Sequence, residues 1–117
     1  MKVYVYFNLH KKLFSVKALE GASKGKVIGH YDRLTLAEVT PKVSIAGRER
    51  VLRERQKNVH AGLVGTLTDF VSVKGRVVSY NPYKGVDFFY TDNQQSFTSA
   101  STVSFTVSNK LHTVTAI

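Results

Sequence analysis

No cysteine occurs in the chain. Disulfides, zinc–thiolate sites, iron–sulfur sites and cysteine nucleophiles are therefore excluded. Carboxylates are scarce, with 8 Asp and Glu against 17 Lys and Arg. None of them forms a close pair or a D-x-D. Two-metal nuclease or polymerase chemistry is thus not expected, and a paired-carboxylate glycosidase has no support. No H-x-x-x-H, H-x-H or HExxH spacing occurs, so no metal site is signalled. GxGxxG and Walker A loops are missing too, and no cofactor is implied. There is no RNP1-type octamer and no zinc knuckle. No apolar run approaches the ~20 residues that span a membrane, so no membrane partner is expected. The opening Val3-Tyr4-Val5-Tyr6-Phe7 is interrupted by Asn8 and His10, and no small-residue cleavage site follows. A secretory signal is not expected.

What is present is a basic, β-rich chain of single-domain length. Its 117 residues are 43% hydrophobic and 11% aromatic, a globular composition rather than a disordered one. The formal net charge is +9. Its distribution is uneven: residues 1–60 carry 13 basic and 5 acidic residues, whereas the rest carry 4 and 3. Such asymmetry points to a polyanionic partner, with an acidic protein surface as the alternative and plain solubility as the functionless explanation. The densest cluster is Arg48, Arg50, Arg53, Arg55 and Lys57, and a smaller one is Lys11, Lys12 and Lys17.

Residues 2–9 alternate. Val3, Val5, Phe7 and Leu9 face one way, and Lys2, Tyr4, Tyr6 and Asn8 the other, as in a half-buried strand. Phe14, Val16 and Ala18 continue this pattern, so the first 19 residues read as a hairpin whose outer face carries Tyr4, Tyr6, Ser15 and Lys17. Residues 26–30 and 34–39 read as two further short strands of a meander, ended by Pro41. Ser44 is a candidate N-cap for a helix running to about Arg55, with Ile45, Leu52 and either Arg48 or Val51 toward the core. Arg50, Arg53 and Lys57 would share one face of it, and Glu49–Arg53 and Arg50–Glu54 are i,i+4 pairs.

Residues 59–70 read as strand again, with Gly62 and Gly65 as bulges or close-contact points. Lys74-Gly75 suggests a tight hairpin, residues 80–85 a turn, and Val86 to Tyr90 a short strand. Residues 91–117 are rich in Ser and Thr, and only Asp92 and Lys110 are charged. This segment is expected to supply edge strands, through which copies could associate, or a loose tail. The fold class is mostly β, of α+β type. It is a single small antiparallel sheet or barrel-like domain with one basic helix.

Four histidines are present. His10, His30 and His60 are weak candidates for metal-independent acid–base chemistry on a phosphodiester, should they meet. Tyr4 and Tyr6 with Lys17, Tyr31 with Arg33, and Tyr80 and Tyr83 with Lys84 interleave aromatic faces with cations. That is the composition of sites that hold single-stranded nucleic acid. Asn58 and His60 add hydrogen-bonding groups beside the arginine cluster.

Tyr4 to Lys12, Gly47-Arg48 with Arg50 to Glu54, Lys57 to Gly62, and Tyr80 to Lys84 resemble stretches of a family of small proteins encoded in tailed-bacteriophage genomes. The resemblance covers about two-thirds of the chain and implies a setting, the cytoplasm of an infected bacterium, without implying a mechanism. His10, Arg48, Arg53, Asn58 and His60 fall in the matching stretches.

The leading expectation is a non-enzymatic binding protein for nucleic acid or a nucleotide-like polyanion. Arg48, Arg50, Arg53, Arg55, Lys57, Asn58 and His60 would form the site, with Lys11, Lys12, Lys17, Tyr4 and Tyr6 extending it. A module that inhibits a host or defence protein through an acidic surface is the second expectation. A phosphodiester-cleaving enzyme is the third.

Overall fold

The computed structural model describes residues 1–69, 74–109 and 111–117. The alternation near the start becomes β1 (Lys2–Asn8) and β2 (Leu13–Ala18), paired antiparallel with Val5 opposite Val16. Their turn is closed by Asn8. Its carbonyl accepts from the Lys12 amide at 2.8 Å, and its Oδ1 accepts from the amides of His10 and Lys11. Val3, Val5, Phe14, Val16 and Ala18 are buried, as their alternation predicts. β3 (Val27–Tyr31) lies on the outer side of β2, and the meander stops there.

β4 (Arg33–Val43) does not follow β3. It crosses to the middle of the sheet, between β5 (Ala61–Thr68) and β8 (Ala100–Ser108). The reason lies in the residues. All of β3 is exposed or half-exposed, which suits an edge, whereas Leu34, Thr35 and Leu36 are buried in succession and need cover on both faces.

Pro41 does not end the strand. It stands opposite Leu63 of β5, beyond Val39, where the pairing with β8 stops. Among the described residues β4 pairs there with β5 on one side, an edge-like position of the kind that tolerates proline. A bulge at Glu38, whose φ is 53°, resets the alternation so that Val39 is buried. Gly65 accommodates that bulge. A Cβ on it would lie 2.8 Å from the Ala37 carbonyl oxygen.

Among its described residues the Ser/Thr-rich end supplies neither a tail nor an outer edge. β8 sits between β4 and β9 (Leu111–Ala116), and β9 is followed by β6 (Arg76–Ser79) and β7 (Phe89–Tyr90). Val86 lies outside the two-residue β7, so that strand is shorter than its sequence suggests. Of the hairpin expected around Lys74-Gly75, the strand before the turn lies at 71–73, outside the described residues. So does the Phe70 end of the strand read over 59–70.

Among the described residues the result is one antiparallel sheet of nine strands in the order β3-β2-β1-β5-β4-β8-β9-β6-β7. It is curled but open. Phe14 of β2 meets Phe105 of β8 edge-on at 5.2 Å, and Phe7 of β1 stacks on His112 of β9 at 3.9 Å. The core draws on these strands and on Phe88 and Phe97, which lie just before and after β7.

The contact with Phe7 has a pH consequence. Burial holds His112 below the usual histidine value of 6.5. The unfolded chain therefore takes up this proton first. Stability should be complete above about pH 6.5 and fall as the pH drops through that value toward the lower folded pKa. Thermal melts between about pH 8 and 5 should show this loss. His112→Gln should flatten it, and parallel profiles for the two proteins would remove His112 from the account.

α1 (Ile45–Glu54) starts where expected. The Ser44 hydroxyl accepts from the Gly47 amide at 3.2 Å, and Arg55 closes the other end at φ 55° with its amide on the Val51 carbonyl. Only Val51 is fully buried, while Leu52 is half-buried and Ile45 is 51% exposed. The helix docks through a smaller face than its pattern implies. Gly47 lies so close to the segment leading into β5 that a Cβ would come within 2.5 Å of the His60 Cβ.

Candidate functional site

The convex face of β1 and β2 is the floor of a groove of about 800 Å³. Tyr4 and Tyr6 lie two apart on β1 and so share that face, and Lys17 stands directly opposite Tyr4 on β2. The Tyr4 ring leans across β5 over Gly62. A Cβ there would lie 2.7 Å from the Tyr4 ring and 2.4 Å from the Val5 carbonyl oxygen, so Gly62 is a close-contact point. On the far side, Lys42 of β4 brings its Nζ to 5.9 Å from the Tyr4 ring centroid. Packing in this position pushes the Tyr4 hydroxyl up to about 12, chiefly by burial and secondarily through Tyr6.

The wall is the segment between α1 and β5, which contributes Lys57, Asn58, Val59 and His60. His60 pins it. Its Nδ1 lies 2.8 Å from the Asn58 carbonyl oxygen, which can only accept, so Nδ1 carries the proton. Nε2 then accepts from the Tyr80 hydroxyl at 2.7 Å. Burial raises the Tyr80 pKa, and the Arg48 charge opposes that rise. The far end of the groove is closed by Leu9 and His10 of the first turn and by Leu19, Gly25 and Val27.

The groove therefore gathers Tyr4, Tyr6, His10, Lys17, Lys57, Asn58 and His60. It does not gather the arginine cluster. Arg48 points back into the protein, where its Nε donates to the carbonyls of Pro82 and Gly85 at 3.0 Å each. Arg50 pairs with Glu54 at 3.0 Å. Arg53 and Arg55 are exposed outside the groove, as are Lys11 and Lys12 in the first turn. Lys42 is the cation that the sequence does not reveal. A strand running past Pro41 would have placed it on the face of Tyr4.

The histidines do not form one acid–base centre. His10 and His60 share the groove, but both ring nitrogens of His60 are engaged. His30 sits on β3 and bonds through Nδ1 to the Ser15 hydroxyl at 2.8 Å. Ser15 is fully buried, and its hydroxyl also accepts from the Asn8 side-chain Nδ2 at 3.1 Å. Gly21-Ala22-Ser23-Lys24-Gly25 spells G-x-S-x-G, the pattern of a nucleophile elbow. It joins two antiparallel strands and leads into no helix, so it lacks the strand-to-helix setting of that elbow. Gly62-Leu63-Val64-Gly65 spells G-x-x-G but lies within β5 rather than in a loop. Among the described residues no three of His, Asp and Glu form a metal-binding group, and no helix is long and apolar enough to cross a membrane.

Residues 1–113 match the family described as Mycobacterium phage L5 gene 82 protein. The chain belongs to this family. Gene 82 protein of Mycobacterium phage L5 is 42% identical over 114 residues, covering 88% of each chain. The family is thus phage-encoded, in agreement with the resemblance carried by the stretches around Tyr4, Gly47 and Tyr80. No solved structure gives a significant match.

Gly62 gives this geometry a direct test. Gly62→Ala should destabilise the fold by about 1–3 kcal/mol, because the nearest obstacle is the Val5 backbone, which cannot rotate away. Urea unfolding measures it. An unchanged midpoint would mean that β5 shifts freely beneath Tyr4.

Proposed function

We propose that the chain is a non-enzymatic binding protein for nucleic acid or a similar polyanion, acting in the cytoplasm of the infected bacterium, and that the groove is its site. One observation carries this reading. Lys17, Lys42 and Lys57 converge on one concavity with His10 and His60, and among the described residues no carboxylate lines it. A concave patch of one sign concentrates field and raises the local concentration of an oppositely charged partner. The phosphates of a nucleic acid, closely and regularly spaced, are the partner such a patch fits best.

Fluorescence anisotropy with labelled single-stranded RNA, single-stranded DNA and duplex DNA tests the proposal. Binding should be evident at ~50 mM salt and should weaken steeply by ~200 mM, since each phosphate contact adds about −0.7 to −0.9 to the log–log slope. Absence of binding at the lower salt would overturn it. The charge would then serve an acidic protein surface, which a pull-down of a discrete partner with these same lysines as determinants would identify.

A further inference from the structure

We infer that the groove takes a single strand with its bases exposed, two neighbouring bases lying against Tyr4 and Tyr6 and the phosphates running along the lysines on either side. This rests on the polyanion reading and narrows it. The Tyr4 and Tyr6 ring centroids are 5.7 Å apart and tilted by 34°. They are therefore side by side on the floor rather than stacked on each other. Bases stacked in a duplex repeat every ~3.4 Å along a strand, too short a step to place neighbours on two such rings. A duplex also hides its base faces. A single strand can open the step and present each face to a ring.

The arrangement of charge agrees. Lys17 lies beyond Tyr4 on the β2 side, Lys42 on the β4 side, and Lys57 on the wall above. The aromatic floor is thus flanked by cations, which suits inward bases and outward phosphates. The floor is also held in place, because Tyr4 is seated over Gly62 between strands that are paired on both sides. A fixed platform loses little conformational freedom on binding.

The test compares four labelled probes of about twelve nucleotides, the scale of a single-domain site. They are oligothymidine, a mixed-sequence RNA strand, the corresponding DNA duplex, and an abasic deoxyribose strand with the same phosphates and no bases. Each is titrated at ~50 and ~200 mM salt. The base-bearing single strands should bind at least about tenfold more tightly than the abasic strand and the duplex, as expected for stacking on two rings.

Tyr6→Leu, which leaves every charge in place, should lower oligothymidine affinity about tenfold. The fall should appear on the base-bearing strands and not on the abasic one. Melting curves establish that the variant is folded. Should Tyr6→Leu fail to fold, shifts of the tyrosine ring protons on adding oligothymidine to the unaltered protein serve instead, and unshifted rings in the bound state would overturn the inference. Equal affinity for all four probes, or a loss that extends equally to the abasic strand, would overturn stacking while leaving polyanion binding intact. No binding of any probe at low salt would overturn both.

Discussion

Phe14→Ala should lower the stability of the fold by about 3–5 kcal/mol, the largest effect expected of any single truncation here. The Phe14 side chain is 1% exposed. Its ring meets Phe7 edge-on at 5.5 Å, Phe105 at 5.2 Å and the His112 ring at 5.8 Å. It therefore joins strands β1 and β2 to β8 and β9, which are distant in the strand order and brought together only by the curl of the sheet. Removing the ring leaves a cavity at that junction and deletes three aromatic contacts at once.

For a domain of this size, such a loss corresponds to roughly 12–30 °C in Tm, or to an unfolded chain if the starting stability is at the low end of the usual range. Phe14→Leu, which keeps most of the volume, should cost much less. Calorimetry or urea unfolding of both variants measures the difference. A loss below about 1 kcal/mol for the alanine would mean that the two ends of the sheet do not pack on each other.

Local features of this fold are readable from the residues, and long-range ones are not. The alternation of Val3, Val5, Phe14 and Val16 foretells a hairpin and its buried face because each strand finds its partner across a short turn. Ser44 foretells the helix start because a cap is a contact three residues long. The destination of β4 cannot be read this way. Its Leu34-Thr35-Leu36 run requires two covered faces, but nothing local says that β5 and β8 supply them.

The same holds for the Ser/Thr-rich end. Low charge and an alternation of Val103, Phe105 and Val107 describe an exposed edge as well as they describe an interior strand, and β8 is the latter. Charge density misleads for a related reason. Five cations in ten residues look like one patch, yet a helix turns Arg48 inward to the Pro82–Gly85 turn and Arg50 onto Glu54. The cations that do converge are Lys17, Lys42 and Lys57, drawn from β2, β4 and a loop, and their convergence exists only after pairing.

That distinction sets the second large prediction. Lys17→Glu combined with Lys42→Glu should weaken binding of a single strand by at least about a hundredfold at low salt, because two phosphate-facing cations become repulsive charges in one concavity. The corresponding double alanine variant should reduce the magnitude of the log–log salt slope by about 1.4, or ~0.7 for each contact removed from a single strand. Lys42 is exposed and Lys17 is half-buried on the outer face, so neither change should unfold the domain. Arg50→Ala with Arg53→Ala provides the contrast. It removes the same number of charges from the same chain, and so changes the net charge equally, but it does so outside the groove. Its effect on affinity should be several-fold smaller. Anisotropy titrations of the variants over ~50 to ~200 mM salt separate a groove that makes contacts from a protein that merely carries excess charge. Equal losses from the two alanine pairs would show that net charge alone governs binding, and a larger loss from the helix pair would move the site from the groove to α1.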